Sequence, residues 1–175
     1  MAESVTEPER FVAIFDRHGV AVHGYLTRRG GTQVADELIG DVWLRAFQSR
    51  HTYDTSWPDA RPWLYGIARN TLKNHWRRRR EGGPAPLEPA HDPWPEVDAH
   101  LDAASRLGAL RAALASLHEQ DREVLLLFAW EQLSPTEIAT SLGVPAGTVR
   151  WRLHRARSML QRSAIDDRIP ATEET

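Results

Sequence analysis

The chain has 175 residues, enough for one domain or two small ones. It has no cysteine, which excludes disulfide bonds and thiolate metal sites, and no apolar run typical of a membrane span or a signal peptide. We therefore expect a cytoplasmic protein without membrane insertion. The formal net charge is −2, but residues 61–80 carry seven Lys or Arg and no acid, whereas residues 81–102 carry six acids and no Lys or Arg. This asymmetry indicates nucleic-acid-binding surfaces joined by an acidic connector.

Two helices are predicted before residue 49, separated by a break at Gly30-Gly31. The first covers about residues 8–28 and the second about residues 33–48, because apolar residues recur there at helical spacing. The side chains predicted to face the core are Phe11, Ile14, Phe15, Val22 and Leu26 in the first helix, and Val34, Leu38, Val42 and also Phe47 in the second.

The second helix has an acidic edge formed by Asp36, Glu37 and Asp41, beside Trp43 and Arg45, which we expect to be exposed. Three neighbouring carboxylates raise the hypothesis of a metal-dependent nuclease. However, the opposite face of the helix is the predicted core stripe, and no histidine stands at ligand spacing. We therefore interpret this charged and aromatic face as a partner-binding surface and predict no metal site.

A loop over residues 49–59 leads into a third helix over about residues 60–80, whose polar face lies opposite an apolar cluster around Leu64 and Ala68. Aromatic rings stack on unpaired bases and cations follow the phosphate backbone, so this segment favours binding of single-stranded nucleic acid. The residues assigned to this role are Tyr53, Trp57, Trp63, Asn70, Lys73, Arg77 and Arg78. The alternative is that Trp63 and Tyr65 are core residues and that the arginine run is a solvated helix end.

Composition divides the chain into two domains. Residues 82–102 are rich in proline and acid and are predicted to form a flexible linker between a first domain over residues 1–81 and a second over residues 103–165. Residues 166–175 are predicted to be a frayed tail. The second domain begins with a helical stripe of leucines, namely Leu107, Leu110, Leu114 and Leu117, and a further helix contains Val124, Leu125, Leu127 and Phe128.

A helix-turn-helix is predicted over residues 133–160. Ser134 is a good N-cap, Pro135 fits the first helical position, and Glu137 completes a capping box. Gly143 is the expected turn residue. An amphipathic helix, a glycine turn and a basic helix together favour a motif that places its second helix in the major groove.

The second helix of this motif is rich in arginine and nearly free of acids. At about 100° per residue, its buried stripe consists of Val149, Leu153, Ala156 and Leu160. The opposite face carries Trp151, His154 and Arg155, with Thr148 close by, flanked by Arg150, Arg152 and Arg157. Trp151 would pack on a thymine methyl group or a sugar, Arg155 would reach a guanine edge, and the flanking arginines would bind phosphates. The alternative is a solvated basic helix in a helical bundle.

The sequence carries no recognisable catalytic pattern. The eight histidines form no metal-binding pair. There is no Walker loop, no dinucleotide-binding glycine pattern and no serine nucleophile elbow. We therefore predict that the protein is not an enzyme and uses no cofactor.

Three blocks together resemble a group IV, or extracytoplasmic function (ECF), sigma factor of the sigma-70 family of bacterial RNA polymerase: residues 35–47, 62–80 and 133–160. The first is similar to region 2.2, which binds the β′ clamp helices. The second is similar to regions 2.3 and 2.4, which melt and read the −10 element, and the third to region 4.2, which reads the −35 element. The resemblance implies an all-α fold of two small helical domains joined by a flexible acidic, proline-rich linker.

The resemblance also implies partners and residue roles. The partners would be core RNA polymerase, through its β′ clamp helices and β-flap, promoter DNA in duplex and single-stranded form, and an anti-sigma factor. Polymerase would be bound by Asp36, Glu37, Asp41, Trp43 and Arg45, the −10 strand by the residues assigned above to single-stranded nucleic acid, and the −35 duplex by Thr148, Arg150, Trp151, Arg152, His154, Arg155 and Arg157. A stand-alone helix-turn-helix repressor or activator is the alternative, and the first two blocks argue against it.

Overall fold

The computed structural model describes residues 11–81 and 112–166. Its helices are α1 (Phe11–Gly30), α2 (Thr32–Gln48), a short 3-10 turn (Arg50–Thr52), α3 (Arg61–Glu81), α4 (Glu119–Ala129), α5 (Pro135–Leu142) and α6 (Ala146–Asp166). These two ranges contain no β-strand, so the predicted all-α fold is confirmed. The predicted linker over residues 82–102 and the leucines at positions 107 and 110 lie outside the described residues, as does all but the first residue of the predicted tail.

The chain divides into two compact units. The first holds α1, α2 and α3, and each of these three helices packs against the other two. Its fully buried side chains include Val22, Tyr25 and Leu26 of α1, Ala35, Val42 and Ala46 of α2, and Leu64 and Ala68 of α3. Tyr25 stacks on Tyr65 with ring centroids 4.9 Å apart, which joins α1 to α3 through the centre of this core.

The aromatic end of the first unit differs from the sequence prediction. Trp43, expected to be exposed, is only 8% exposed, whereas Phe15, expected in the core, is 47% exposed. The predicted inward position of Phe47 is wrong as well, because its ring is exposed. The Trp43 indole packs edge-on against Phe11 at 6.0 Å and Phe15 at 4.9 Å. The large indole therefore fills the space between α1 and α2, which leaves Phe15 and Phe47 exposed at its rim.

The second unit holds α4, α6 and most of α5, with α4 packed against α6. Its core contains Val124 and Leu127 of α4, Ile138 of α5 and the stripe of α6, together with Leu114, Leu117 and Leu133. In α6, burial of Val149, Leu153 and Ala156 confirms the predicted stripe, and Leu160 is half-buried at its end.

Candidate nucleic-acid interface

A reciprocal pair of hydrogen bonds starts α5. The Ser134 backbone N–H donates to Oε2 of Glu137 at 2.7 Å, and the Glu137 backbone N–H donates to Oγ of Ser134 at 3.3 Å. The predicted capping box is therefore confirmed. Both residues satisfy backbone donors that the first turn of the helix leaves without a partner.

The turn between α5 and α6 depends on Gly143. This residue has φ +66°, in the left-handed region, and the following Val144 N–H donates to the Ala139 carbonyl at 3.1 Å. This pattern is a Schellman motif, which ends a helix and redirects the chain within two residues. The predicted turn role of Gly143 is confirmed, and α6 begins three residues later at Ala146.

The outward face of α6 carries the aromatic and basic side chains that a DNA groove would meet. Trp151 is 55% exposed, and Arg150, His154 and Arg157 are exposed as well. Thr148 and Arg152 are half-buried at the edges of this face. The predicted exposure of Trp151 and His154 is therefore confirmed, whereas their contacts with DNA remain predictions.

Three arginines of α6 are bound to α4. Nε of Arg155 donates to Oδ2 of Asp121 at 2.5 Å, and a terminal nitrogen of Arg152 donates to Oε1 of Gln120 at 2.5 Å. The Arg157 guanidinium lies 4.7 Å from the ring centroid of Phe128. Nε of Arg155 is thus engaged by a carboxylate that is 0% exposed, while the Arg155 side chain itself remains 39% exposed. Its contact with a guanine edge remains a prediction.

Asp121 was not selected by the sequence prediction, although a signal was available. It stands three residues before Val124 and six before Leu127, and both of these are buried. Helical spacing therefore puts this acid on the core face of α4. A carboxylate in that position needs a charged partner, since burying it alone is costly. Its partner, Arg155, belongs to a different helix, α6, which local spacing does not indicate.

The loop before α3 is shaped by Tyr53. Its ring is 7% exposed and meets Trp63 edge-on with centroids 5.6 Å apart, while its hydroxyl donates to the Trp57 carbonyl at 2.5 Å. Burial raises the pKa of the Tyr53 phenol, and the nearby carboxylates of Asp59 and Asp54 add to that effect. The prediction that Tyr53 binds a base is therefore corrected: the ring supports the loop, and Trp57 and Trp63 remain half-buried beside it.

The polar face of α3 is open. Asn70, Lys73, Arg77 and Arg78 are exposed, whereas Ala68 and Thr71 on the opposite face are buried. Nε of Arg77 lies 3.9 Å from Oε1 of Glu81, and the guanidinium carbon of Arg79 lies 5.7 Å from the ring centroid of Trp76. The structure therefore brings the predicted single-strand-binding side chains, apart from Tyr53, to exposed or half-buried positions.

The acidic edge of α2 is paired with histidines. Nε2 of His23 lies 2.8 Å from Oδ1 of Asp36, and Nδ1 of His75 lies 3.8 Å from Oε1 of Glu37. Asp36, Glu37, Asp41 and Arg45 are exposed, whereas the predicted contact residue Trp43 is corrected to a core residue. Over the described ranges no three histidine or carboxylate side chains gather as a metal site would require.

The acidic edge borders a groove of about 570 Å³ between α2 and α3. Both signs of charge line it: α2 contributes Glu37, Asp41 and Arg45, and α3 contributes Arg78 and Arg79. Such a mixed lining is suited to another protein surface that carries charges of both signs.

Both units match known protein families. Residues 14–81 match the family model for Sigma-70 region 2, and residues 107–160 match that for Sigma-70, region 4. The ECF RNA polymerase sigma factor SigL of Mycobacterium tuberculosis is 32% identical over 153 residues, which cover 82% of each chain. The chain belongs to the ECF sigma factors. SigE of Mycolicibacterium smegmatis is 37% identical over 153 residues, and the matched part spans 83% of this sigma factor but 58% of SigE.

Solved structures resemble this sigma factor in fold. CnrH in complex with the cytosolic domain of CnrY is 25% identical with a TM-score of 0.64, and the match covers 97% of this chain and 96% of CnrH. RpoE of Bartonella quintana in complex with the anti-sigma factor NepR is 23% identical with a TM-score of 0.60, over 92% of this chain and 97% of RpoE.

Membership of this family decides between the two transcriptional hypotheses. The presence of region 2 together with region 4 identifies a sigma factor and not a stand-alone repressor or activator. The family is not known for catalysis. No helix in the described part of this sigma factor is long and apolar enough to cross a membrane.

Proposed function

We propose that this sigma factor directs core RNA polymerase to promoters by reading a −35 duplex with α6 and a melted −10 strand with α3. The observation that carries the proposal is the outward face of α6, where Trp151, His154 and Arg150 are exposed beyond a capped α5 and a glycine turn. That is the local architecture by which a helix-turn-helix presents its second helix to the major groove.

At the −35 element, the exposed residues divide by chemistry. Trp151, His154 and Thr148 are placed to meet base edges, whereas Arg150, Arg152 and Arg157 bind phosphates on either side. Arg152 and Arg157 also contact α4. These two arginines therefore help to fix the angle of α6 against α4 while they neutralise phosphates of the DNA. Arg155 also acts within the protein, through its ion pair with Asp121.

At the −10 element, Lys73, Arg77 and Arg78 follow the phosphates, and Asn70 hydrogen-bonds a base. Trp57 and Trp63 offer half-buried rings at the adjoining loop, which Tyr53 supports from beneath. The free energy for melting comes from tighter binding of the unpaired strand than of the duplex. This chain therefore opens DNA without catalysing a reaction and without a cofactor.

Polymerase binding falls to the exposed acidic edge of α2. We assign Asp36, Glu37, Asp41 and Arg45 to the β′ clamp helices and the second unit to the β-flap. In this proposal residues 1–81 form the polymerase and −10 domain, residues 82–102 the linker, residues 103–165 the −35 domain and residues 166–175 the tail. The mixed charges around the groove support this assignment, since both signs are available for complementary pairing.

Control by an anti-sigma factor is part of the same proposal. CnrH is bound to the cytosolic domain of CnrY, and CnrH resembles this chain along nearly its whole length. We infer that a partner of this kind covers the polymerase-binding face until it is released. Both the partner and the polymerase would be met in the cytoplasm.

The test is co-elution of the purified chain with core RNA polymerase that lacks a sigma factor, followed by transcription in vitro from genomic DNA fragments. We expect a stable complex and transcripts that start at discrete positions. Asp41→Arg should reduce binding to core polymerase at least tenfold, because it reverses a charge at the proposed clamp contact. The matched control is Asp16→Arg, which makes the same charge change at an exposed position of α1.

Two results would contradict the proposal. Duplex DNA binding by the chain alone, without any complex with core polymerase, would overturn the sigma role. Equal polymerase binding by Asp41→Arg and Asp16→Arg would overturn the assignment of the clamp contact to α2.

A further inference from the structure

Arg155 lies between a buried acid and an exposed indole. Its Nε donates to Oδ2 of Asp121, which is inaccessible to solvent, and its guanidinium carbon lies 4.2 Å from the ring centroid of Trp151. Trp151 and Arg155 stand four residues apart on α6, so they are neighbours on one helix face. The three side chains form a continuous contact from the core of the second unit to its outward surface.

The ion pair fixes where the guanidinium stands. Breaking a buried pair is strongly destabilising, because the remaining charge has neither water nor a partner. Arg155 is therefore held in one conformation by Asp121, and the second carboxylate oxygen, Oδ1, has no hydrogen-bond partner among the described residues. Nε of Arg155 is thereby engaged within the protein, while the side chain as a whole remains 39% exposed.

The guanidinium in turn limits the motion of the indole. A planar cation stacks on an aromatic face and is attracted by the ring. An exposed tryptophan would otherwise have to be ordered when it meets DNA, and that ordering costs affinity. Because the guanidinium covers part of one side of the ring, the uncovered parts of Trp151 are presented outward in a defined orientation.

We propose that Asp121 and Arg155 are positioning residues and that Trp151, held by them, determines sequence preference in the duplex that α6 reads by packing against a thymine methyl group. This inference rests on the proposed function of α6. An indole offers an apolar surface, and the methyl group of thymine is the apolar feature of the major groove. Neighbouring His154 and Arg150 are polar, and the methyl group of Thr148 belongs to a half-buried residue, so the methyl contact falls to the more exposed Trp151.

The experiment uses the full chain bound to core polymerase and a duplex selected from a random pool by that complex. Each thymine of the selected −35 site is replaced in turn by deoxyuridine, which removes only the methyl group. We expect one position at which the substitution weakens binding about fourfold, the loss expected when one methyl group is no longer buried. In Trp151→Ala this sensitivity should disappear.

Conservative variants test the positioning role. Arg155→Lys keeps a cation for Asp121 but lacks the planar stack, and Asp121→Asn keeps an acceptor oxygen but lacks the charge. Both should reduce the methyl sensitivity to less than about twofold. Because both variants weaken a buried ion pair, their unfolding temperature should fall, and a cooperative unfolding transition above the temperature of the binding assay shows that each variant is folded when it is tested. Arg150→Ala is the matched control: it should weaken binding to thymine and uracil duplexes equally, so the methyl sensitivity stays at about fourfold.

The outcomes separate the inference from the function on which it rests. If the complex selects no duplex, the proposed function of α6 is wrong. If it selects a duplex but no uracil substitution weakens binding, or Trp151→Ala keeps the sensitivity, the role of Trp151 is overturned. If folded Arg155→Lys and Asp121→Asn both keep the wild-type sensitivity, the positioning role is overturned.

Discussion

The Asp59 carboxylate joins Arg61 through both of its oxygens at the start of α3. Oδ1 accepts the Arg61 backbone N–H at 2.9 Å, and Oδ2 accepts Nε of the Arg61 side chain at 2.6 Å. Partial burial acts to raise the pKa of Asp59, but the hydrogen bonds and the charge of Arg61 outweigh it, so the pKa lies below its usual value. The ionised acid therefore stabilises the fold.

Asp59→Asn should lower the free energy of unfolding at pH 7 by about 0.3–1 kcal/mol. The amide oxygen can still accept the backbone hydrogen bond, but the side chain has no second acceptor for Nε of Arg61 and no negative charge at the start of the helix. A carboxyl whose folded pKa is depressed stabilises fully above its unfolded pKa of about 3.9, and this contribution is lost as pH falls through the lower folded pKa. Urea titrations at several pH values should show the two proteins converging toward pH 2. A difference that is constant with pH would contradict this explanation.

The buried imidazole of His18 should cause a second decrease in the free energy of unfolding as the pH falls. Burial lowers its pKa, more strongly than the Asp59 carboxylate raises it, and the charges of Arg17 and Arg61 lower it further. Below pH 6.5 the unfolded chain binds a proton that the folded chain does not, so stability decreases from that pH down to the folded pKa. Urea titrations give the free energy of unfolding at each pH between 7 and 5. Its slope against pH for wild type should exceed the slope for His18→Gln by at most about 1.4 kcal/mol per pH unit.

The comparison isolates His18 because every other histidine is present in both proteins. Equal slopes for wild type and His18→Gln would show that this imidazole is protonated as readily in the folded chain as in the unfolded chain.

Gly143→Ala should destabilise the helix-turn-helix by about 1–2 kcal/mol, since an alanine pays this cost in the left-handed region. A Cβ at this position would meet no heavy atom within 4 Å, so the expected loss comes from the backbone alone. Gly143→Asn is the control and should cost less, because asparagine adopts this conformation more readily. Hydrogen exchange of the α5 and α6 amides measures the difference. If these amides were protected from exchange equally in Gly143→Ala and in the wild type, the left-handed backbone at residue 143 would not be a source of strain for alanine.

Arg150→Ala should weaken duplex binding at all sequences and reduce the slope of log affinity against log salt by about one unit. Arg150 is exposed and forms no ion pair with another residue that the structure describes, so its loss leaves the fold intact. Arg17→Ala, an exposed arginine of α1, is the matched control and should leave the slope unchanged. An unchanged slope in Arg150→Ala would remove Arg150 from the phosphate contacts.

Local patterns were sufficient to predict the elements of this fold. The bounds of α2 and α3, the capping box of Ser134 and Glu137, the turn at Gly143 and most of the buried stripe of α6 all follow from interactions within a few residues of the chain. Helical period, caps and glycine conformation act over one or two turns, so the sequence contains their full cause.

Only the packing of helices decided which side chains are available for binding. Periodicity placed Trp43 outside and Phe15 inside, and the contact between α1 and α2 reversed both. Likewise, a helical period of about 100° per residue places Arg155 on the outward side of α6. In the structure it binds Asp121, which stands 34 residues earlier in the chain. Such pairs depend on the distance and angle between two helices, which no local pattern specifies. The sequence therefore determined the helix-turn-helix motif, and the tertiary structure decided that Asp121 holds the half-buried Arg155 against the more exposed Trp151.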